Sequence, residues 1–383
     1  MKVAQKVLQS AGAGGNYIAD LTSLAIINPN FVTVFGAVAF FKDEAFIAAL
    51  RSTFPAANII GCSTAGEISN AGVNDGGCIV SAVHFTSTRL TPASTRLKNM
   101  EDSFAAGERI GAALSSPDLK AVMVFGPGVQ INGSDLVEGI ASRVGGKLPI
   151  TGGLAGDGGA FQQTFTFGPE GACDNAIVAV GLAGDALQFA HGSFGGWESF
   201  GPARKVTRSV GNVLFELDGE PALGVYKRYL GEHAADLPAS GLLFPFAMLG
   251  EDHDALGLIR TILGIDEAAG SLTLAGAIDP NGYLKLMHAS TDRLVDGAEA
   301  AAQAARAMQD NPGDSLAILV SCVGRKLVMG DRVDEEVEAV GDVFGSNATL
   351  TGFYSYGEIS PFAPGSACQL HNQTMTITCI SEK

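Results

Sequence analysis

Positive charge is scarce in this 383-residue chain: 24 Lys and Arg stand against 40 Asp and Glu, for a net charge of −16. That balance removes nucleic-acid phosphate and anionic membrane surface as default partners. No apolar run approaches the roughly 20 residues of a membrane helix, and the amino-terminus lacks the basic-then-apolar order of a secretory signal, so no membrane insertion and a cytoplasmic location are expected. The six cysteines, Cys62, Cys78, Cys173, Cys322, Cys368 and Cys379, never form a Cys-x-x-Cys pair. Close-spaced zinc and redox motifs are thereby excluded, and most of these thiols read as small buried hydrophobes. A Walker-A lysine-serine, a dinucleotide Gly-x-Gly-x-x-Gly after a strand and a His-Glu-x-x-His zinc motif are all missing. What the chain does have is 46% hydrophobic residues and 50 glycines, enough apolar surface for the cores of two domains.

The glycines are organised. Gly61-Cys62-Ser63-Thr64-Ala65-Gly66-Glu67-Ile68-Ser69 returns near the end as Gly352-Phe353-Tyr354-Ser355-Tyr356-Gly357-Glu358-Ile359-Ser360, and a looser copy, Thr151-Gly152-Gly153-Leu154-Ala155-Gly156-Asp157-Gly158, lies between them. Each follows a predicted helix and a short strand, so a whole unit recurs. If the copies meet in the fold, glycine turns closed by the acids Glu67, Asp157 and Glu358 can hold a ligand together with Cys62, Ser63, Tyr354 and Tyr356.

The first unit reads as a strand through Val38-Ala39-Phe40, a helix from Asp43 with Phe46, Ile47, Leu50 and Phe54 on one face, a strand Asn58-Ile59-Ile60, and a strand Cys78 to Val83. The second runs from Ala121–Phe125 through a helix capped by Ser134, with Leu136, Val137, Ile140 and Val144 inward, to a strand from Asn175 to Leu182. The last begins at Leu316–Val320, continues in a helix carrying Val333, Val337, Val340 and Phe344, and ends in a strand from Thr374 to Ile380. Between the second and last units, Leu272–Ile278 and Tyr283–Met287 flank Asp279-Pro280-Asn281-Gly282 and predict a β-hairpin. An alanine-rich helix from Gly297 to Met308 follows, stopped by Asn311-Pro312-Gly313, and Phe194 to Pro202 reads as an irregular junction loop. Strands apolar on both faces require covered sheets. The fold class is α/β in the mixed α+β sense: repeated strand-helix-strand-strand units forming covered mixed sheets, for which stacked sheets flanked by helices and one long sheet with helices on each side both suffice.

The repeated Gly-x-x-x-x-Gly-Glu-Ile phrases, the segment Arg204 to Ala222 with its Leu217-Asp218-Gly219-Glu220-Pro221, and the closing His371-Asn372-Gln373-Thr374-Met375-Thr376 together resemble the FIST family over nearly the whole chain. The resemblance implies a FIST N-like domain over 1–215 holding two units and a FIST C-like domain over 216–383. It further implies a bacterial sensory module that binds a small ligand and reports to a histidine kinase, a chemotaxis receptor or a cyclic-di-GMP enzyme. With no output domain attached, the chain looks like the stand-alone nitric-oxide-sensing branch of that family. That branch carries haem b and acts in trans on a histidine kinase, diguanylate cyclase or phosphodiesterase.

Haem needs an imidazole, thiolate, phenolate or thioether aimed at iron and an apolar pocket. His191, before Gly192-Ser193-Phe194-Gly195-Gly196-Trp197, is the first candidate for the metal ligand, with Phe194 and Trp197 beside it on a backbone that glycine frees to approach a flat cofactor. The plain alternative is a junction loop packing its own aromatics. His288 and His371 are the next candidates; His84, His233 and His253 read as filler or solvated. His371 and Asn372 can instead serve a general ligand site or hydrogen-bond the neighbouring Gly-Glu-Ile turn. Glu67 and Glu358 can orient a ligand or act as acid and base if they converge; otherwise each accepts N–H groups of its own turn. Ser63 and Ser355 do not complete a Gly-x-Ser-x-Gly elbow. Three functions stay open: a haem-based nitric oxide sensor, a sensor of another small molecule such as an amino acid, and an enzyme using the Gly-Glu-Ile sites. A non-enzymatic sensor is expected.

Overall fold

The structure, a computed structural model, describes residues 1–9, 17–310 and 313–383. Three units of one design form its body. Each is built on a parallel strand pair: Phe31–Gly36 with Asn58–Ser63, Leu119–Gly126 with Ile150–Leu154, and Ser315–Cys322 with Ala348–Ser355. The strand that closes each unit, Cys78–His84, Ala176–Ala183 or Met375–Glu382, runs antiparallel to the first member of the pair. Lys2–Leu8, Arg89–Arg96 and Leu187–Phe194 add the outermost strands. Parallel neighbours demand a crossover, and helices supply it; Asp43, for instance, caps the helix Glu44–Thr53 by accepting the N–H groups of Ala45 and Phe46.

The hairpin after each glycine phrase leaves its own sheet. Glu67–Asn74 pairs with the third sheet, Thr166–Cys173 with the first and Gly357–His371 with the second. The exchange is cyclic and locks the three sheets to one another. Gly61, Gly152 and Gly352 stand opposite Val34, Val124 and Leu319, and a Cβ at any of the three would drive into the facing carbonyl oxygen. Inward-facing residues of all three sheets meet in one core. At its centre Phe35, Phe125 and Phe353 are in mutual ring contact, with centroids 4.9, 5.3 and 5.8 Å apart, each side chain contributing about 1.5–3 kcal/mol by burial. Helices cover the outer faces, including Gly133–Val144 on the second sheet and Thr291–Ala307 on the third. The expectation of mixed sheets covered by helices holds, with the sheets stacked around a common core.

A nine-stranded sheet from Glu198 to His288 forms a second module with its own core around Tyr226, Phe246, Leu272 and Leu284. Here the sequence misleads. Ser271–Leu274 and Tyr283–His288 do not pair as a hairpin, because the ribbon Arg204–Val210 and Val213–Leu217 lies between them, taking Tyr283–His288 on one side and Ser271–Leu274 on the other. That ribbon also runs through the expected domain boundary at 215. Val38–Phe41 is a helical turn, the strand being Phe31–Gly36. Asn132, not Ser134, caps the helix Gly133–Val144, its side chain accepting from Ser134 and Asp135. The alanine-rich helix runs Thr291–Ala307 from a Ser290 cap; its stop at Asn311-Pro312 lies outside the described residues.

Candidate functional site

Glu67 and Glu358 hold the same place in two units. The Glu67 carboxylate accepts from the Thr64 hydroxyl and, at 2.9 Å, from the Gly77 N–H. Glu358 accepts from the Ser355 hydroxyl at 2.8 Å and from the Thr374 N–H and hydroxyl at 3.1 and 2.9 Å. Both are buried, and burial raises them to about 7 and about 8 against those hydrogen bonds. They sit in different sheets, opposite Phe353 and Gly153, each engaged with its own turn. The corresponding residue of the second unit, opposite Cys62, is Thr166. Asp157 is therefore not the third carboxylate of the set, because an inserted loop separates it from the exchanged hairpin.

That loop builds the site. The Tyr356 hydroxyl donates to Asp157 and lies within hydrogen-bonding reach of the N–H groups of Asp157, Gly159 and Phe161. Asp157 also accepts the N–H groups of Phe161, Gln162 and Gln163 at 2.7–2.9 Å. Burial alone would raise the Asp157 carboxyl, yet the Tyr356 hydroxyl and these N–H groups hold it below its ordinary value. The chain so gathered turns through Phe161 at φ +54° and lays its ring flat on Tyr356, centroids 4.0 Å apart and planes 13° from parallel. The stacked pair faces a cleft of about 310 Å³ between body and second module, where Leu154, Leu370 and Asn132 stand opposite Asn212 and Thr273. This is within the size range of small-molecule sites, and its mix of apolar wall and few polar groups is their usual chemistry. A second cleft of about 280 Å³ adjoins it through Ala277 and Leu370.

Of the residues expected from sequence to bind ligand, Tyr356 lines the larger cleft and Asp157 anchors its wall. The others lie deeper. Cys62 is in the central core, its thiol pushed up by burial. Ser63 donates to the Gly156 carbonyl at 2.7 Å, Tyr354 donates to Glu336 at 2.5 Å, and His371 contacts the Ser360 carbonyl at 2.9 Å through Nε2. Asn372 is buried, its Oδ1 unpartnered among the described residues.

The expected haem loop is built differently. His191 lies inside the strand Leu187–Phe194, opposite Thr378, buried, with its Nδ1 unpartnered among the described residues. Trp197 is buried and donates to the Gln373 carbonyl at 2.8 Å, while Phe194 is exposed. The glycines admit a helix rather than a cofactor: a Cβ on Gly192 or Gly196 would meet the carbonyl of Ala301 or Arg293 in Thr291–Ala307. Neither His191, His371 nor Trp197 lines these two clefts or the clefts of about 340 and 400 Å³ elsewhere on the body. The residues as placed do not fit a haem. His288, His233 and His253 are exposed.

Sequence reasoning missed Phe161, which carries no motif and is placed by the loop's wrap around Asp157. It also missed the buried pair Arg325 and Glu336, 2.7 Å apart. Glu336 is completed by Ser321 and Tyr354, and Arg325 donates to the carbonyls of Gly195 and Leu294. This network ties the junction loop and the helix Thr291–Ala307 to the third unit.

The FIST N domain family model matches residues 30–220 and the FIST C domain model matches residues 222–361. The uncharacterized protein MJ1623 of Methanocaldococcus jannaschii is 36% identical over 83 residues, 22% of this chain; the match spans only 15% of that protein's length. Among solved structures, a cyanuric acid hydrolase from A. caulinodans aligns over 100% of this chain and 99% of its own, at 9% identity and a TM-score of 0.39.

Proposed function

The chain belongs to the FIST-domain proteins, whose domains are sensory ligand-binding domains of signalling proteins, and from that premise we propose that it is a non-enzymatic sensor whose small ligand occupies the cleft between body and second module. The observation that carries this reading is the Tyr356–Phe161 stack, held by Asp157 against the larger cleft. A ligand there touches both modules, so it can favour one relative packing over another and change the affinity of a separate signalling partner. A histidine kinase or a cyclic-di-GMP enzyme is the partner class the family reading supplies. The nitric oxide variant has one observation in its favour, the unpartnered Nδ1 of His191. Against it stands the packing around that imidazole, and we place the ligand at the stack instead.

The test is a thermal-shift screen of small metabolites on the wild type and on Ala277→Trp, which puts an indole at the wall common to both clefts. Stabilising compounds are expected to lose their effect in the variant. Haem titration runs in parallel, and a saturable Soret band at one haem per chain that disappears in His191→Ala would replace this reading by the haem sensor.

A further inference from the structure

Two arginines are nearly sealed from solvent, and only one of them has a counter-charge among the described residues. Arg325 meets Glu336. Arg260, 4% exposed at the end of the strand Ala255–Arg260, makes no ion pair. Its Nε donates to the Ala277 carbonyl at 3.1 Å, and its Nη1 to the carbonyls of Ile259 and Leu370 at 3.2 and 3.3 Å. Its Nη2 has no hydrogen bond among the described residues. The guanidinium lies against Gly276, where a Cβ would fall 2.8 Å from Nε, so the local backbone is shaped to keep it in place. A buried cation without a counter-charge is costly to keep in place, and burial holds this guanidinium down to about 10.

Arg260 lines the cleft of about 280 Å³ that adjoins the Tyr356 cleft through Ala277 and Leu370. The other polar groups on that wall are Ser134 and Gln369, which can donate to an anion, and the carboxylates Glu138 and Asp279. Glu138 is exposed and Asp279 accepts the N–H of its own turn from Asn281. On the body side, His371 is held neutral by its burial and by the positive field of Arg260.

We propose that Arg260 receives the oxyanion of the sensed ligand, a carboxylate or a phosphate ester, while the rest of that molecule lies towards the Tyr356–Phe161 stack. This rests on the reading of the junction as the ligand site. With Nε and Nη1 on carbonyls, the N–H groups of Nη2 are left to donate to either oxyanion in a charge-assisted hydrogen bond, and the bound anion would contact the second module through Arg260 and the body through Ser134 or Gln369.

The probes are benzoate, its neutral isostere benzamide, and inorganic phosphate, titrated against the full chain by calorimetry at constant ionic strength. The expected result is saturable binding of benzoate or phosphate, at least tenfold tighter than benzamide, lost in Arg260→Gln and weakened about tenfold or more in Arg260→Lys. Which anion binds decides between carboxylate and phosphate. If Arg260→Gln does not fold, Arg260→Lys carries the test. Equal binding of benzoate and benzamide, no binding of either anion, or anion binding unchanged in both variants overturns the proposal. Phe161→Ala separates it from the reading on which it rests. Metabolites that lose affinity in Phe161→Ala while anions ignore Arg260 leave the cleft standing and sink the anion site. Anion binding that needs Arg260, with no metabolite affected by Phe161→Ala or Ala277→Trp, sinks the cleft reading instead.

Discussion

Phe161 lies flat on Tyr356, 4.0 Å between ring centroids, although 195 residues of chain separate them. The contact exists because the third unit exchanges its hairpin into the second sheet, bringing Tyr356 beside the loop that Asp157 organises. Tyr356→Phe removes the hydroxyl that Asp157 and the loop N–H groups share. The expected cost is about 1–3 kcal/mol in urea unfolding, together with faster proteolytic cleavage within residues 157–163. A variant as stable and as protease-resistant as the wild type would show that the loop does not depend on this hydroxyl.

Removing the glycine at a close strand approach tests the threefold design. Gly61→Ala, Gly152→Ala and Gly352→Ala should each cost more than about 4 kcal/mol or prevent soluble expression, since the added Cβ meets a backbone carbonyl that cannot step aside. Gly224→Ala, inside the helix Ala222–Leu230 with open space around it and an ordinary helical backbone, should express and fold. A well-folded variant at any of the three sites would contradict the equivalence drawn from their register.

The buried pair predicts an asymmetric response. Arg325→Met leaves the Glu336 carboxylate sealed without its cation and is expected to cost about 3–5 kcal/mol in equilibrium unfolding. Arg325→Met combined with Glu336→Leu should cost less than the sum of the two single changes. Additive losses would mean that the two side chains act independently.

Glu67 and Glu358 make stability depend on pH in the direction opposite to a salt-bridged acid. Their folded values, about 7 and about 8, exceed the ordinary glutamate value. The folded state therefore binds more protons than the unfolded one between the two, and stability is lost as pH rises through about 7 and 8. His371, held down to about 4, contributes a loss only on the acid side of the ordinary imidazole range. Between pH 6.5 and 8.5, then, unfolding free energy should fall in the wild type and fall less in Glu67→Gln and Glu358→Gln. An identical slope in all three proteins would show that these carboxyls are ionised throughout.

The repeated unit, its covered mixed sheets and the kinship of Glu67 with Glu358 were legible because strands apolar on both faces and glycine phrases at fixed spacing leave a local record. Tyr356 could be picked out for the same reason. The exchange of hairpins could not, since pairing partners in different units depend on tertiary contacts that no spacing encodes. That is why Asp157 resembled a third acid of the set while Thr166 holds the position, and why Phe161 carried no signal. The failed hairpin across Asp279–Gly282 is similar: the turn forms, with Gly282 N–H to the Asp279 carbonyl at 3.2 Å, but a ribbon from earlier in the chain enters between the strands. His191 misled because its glycines read as room for a cofactor, whereas they are room for a helix.

Hydrogen–deuterium exchange with and without the first compound that stabilises the wild type addresses the central claim most directly. The account predicts slowed exchange in residues 127–133, 157–163 and 273–277, the segments that meet at the stack and the facing module. Protection confined to residues 187–197 and 371–373, with none at those three segments, would contradict it and move the ligand to His191.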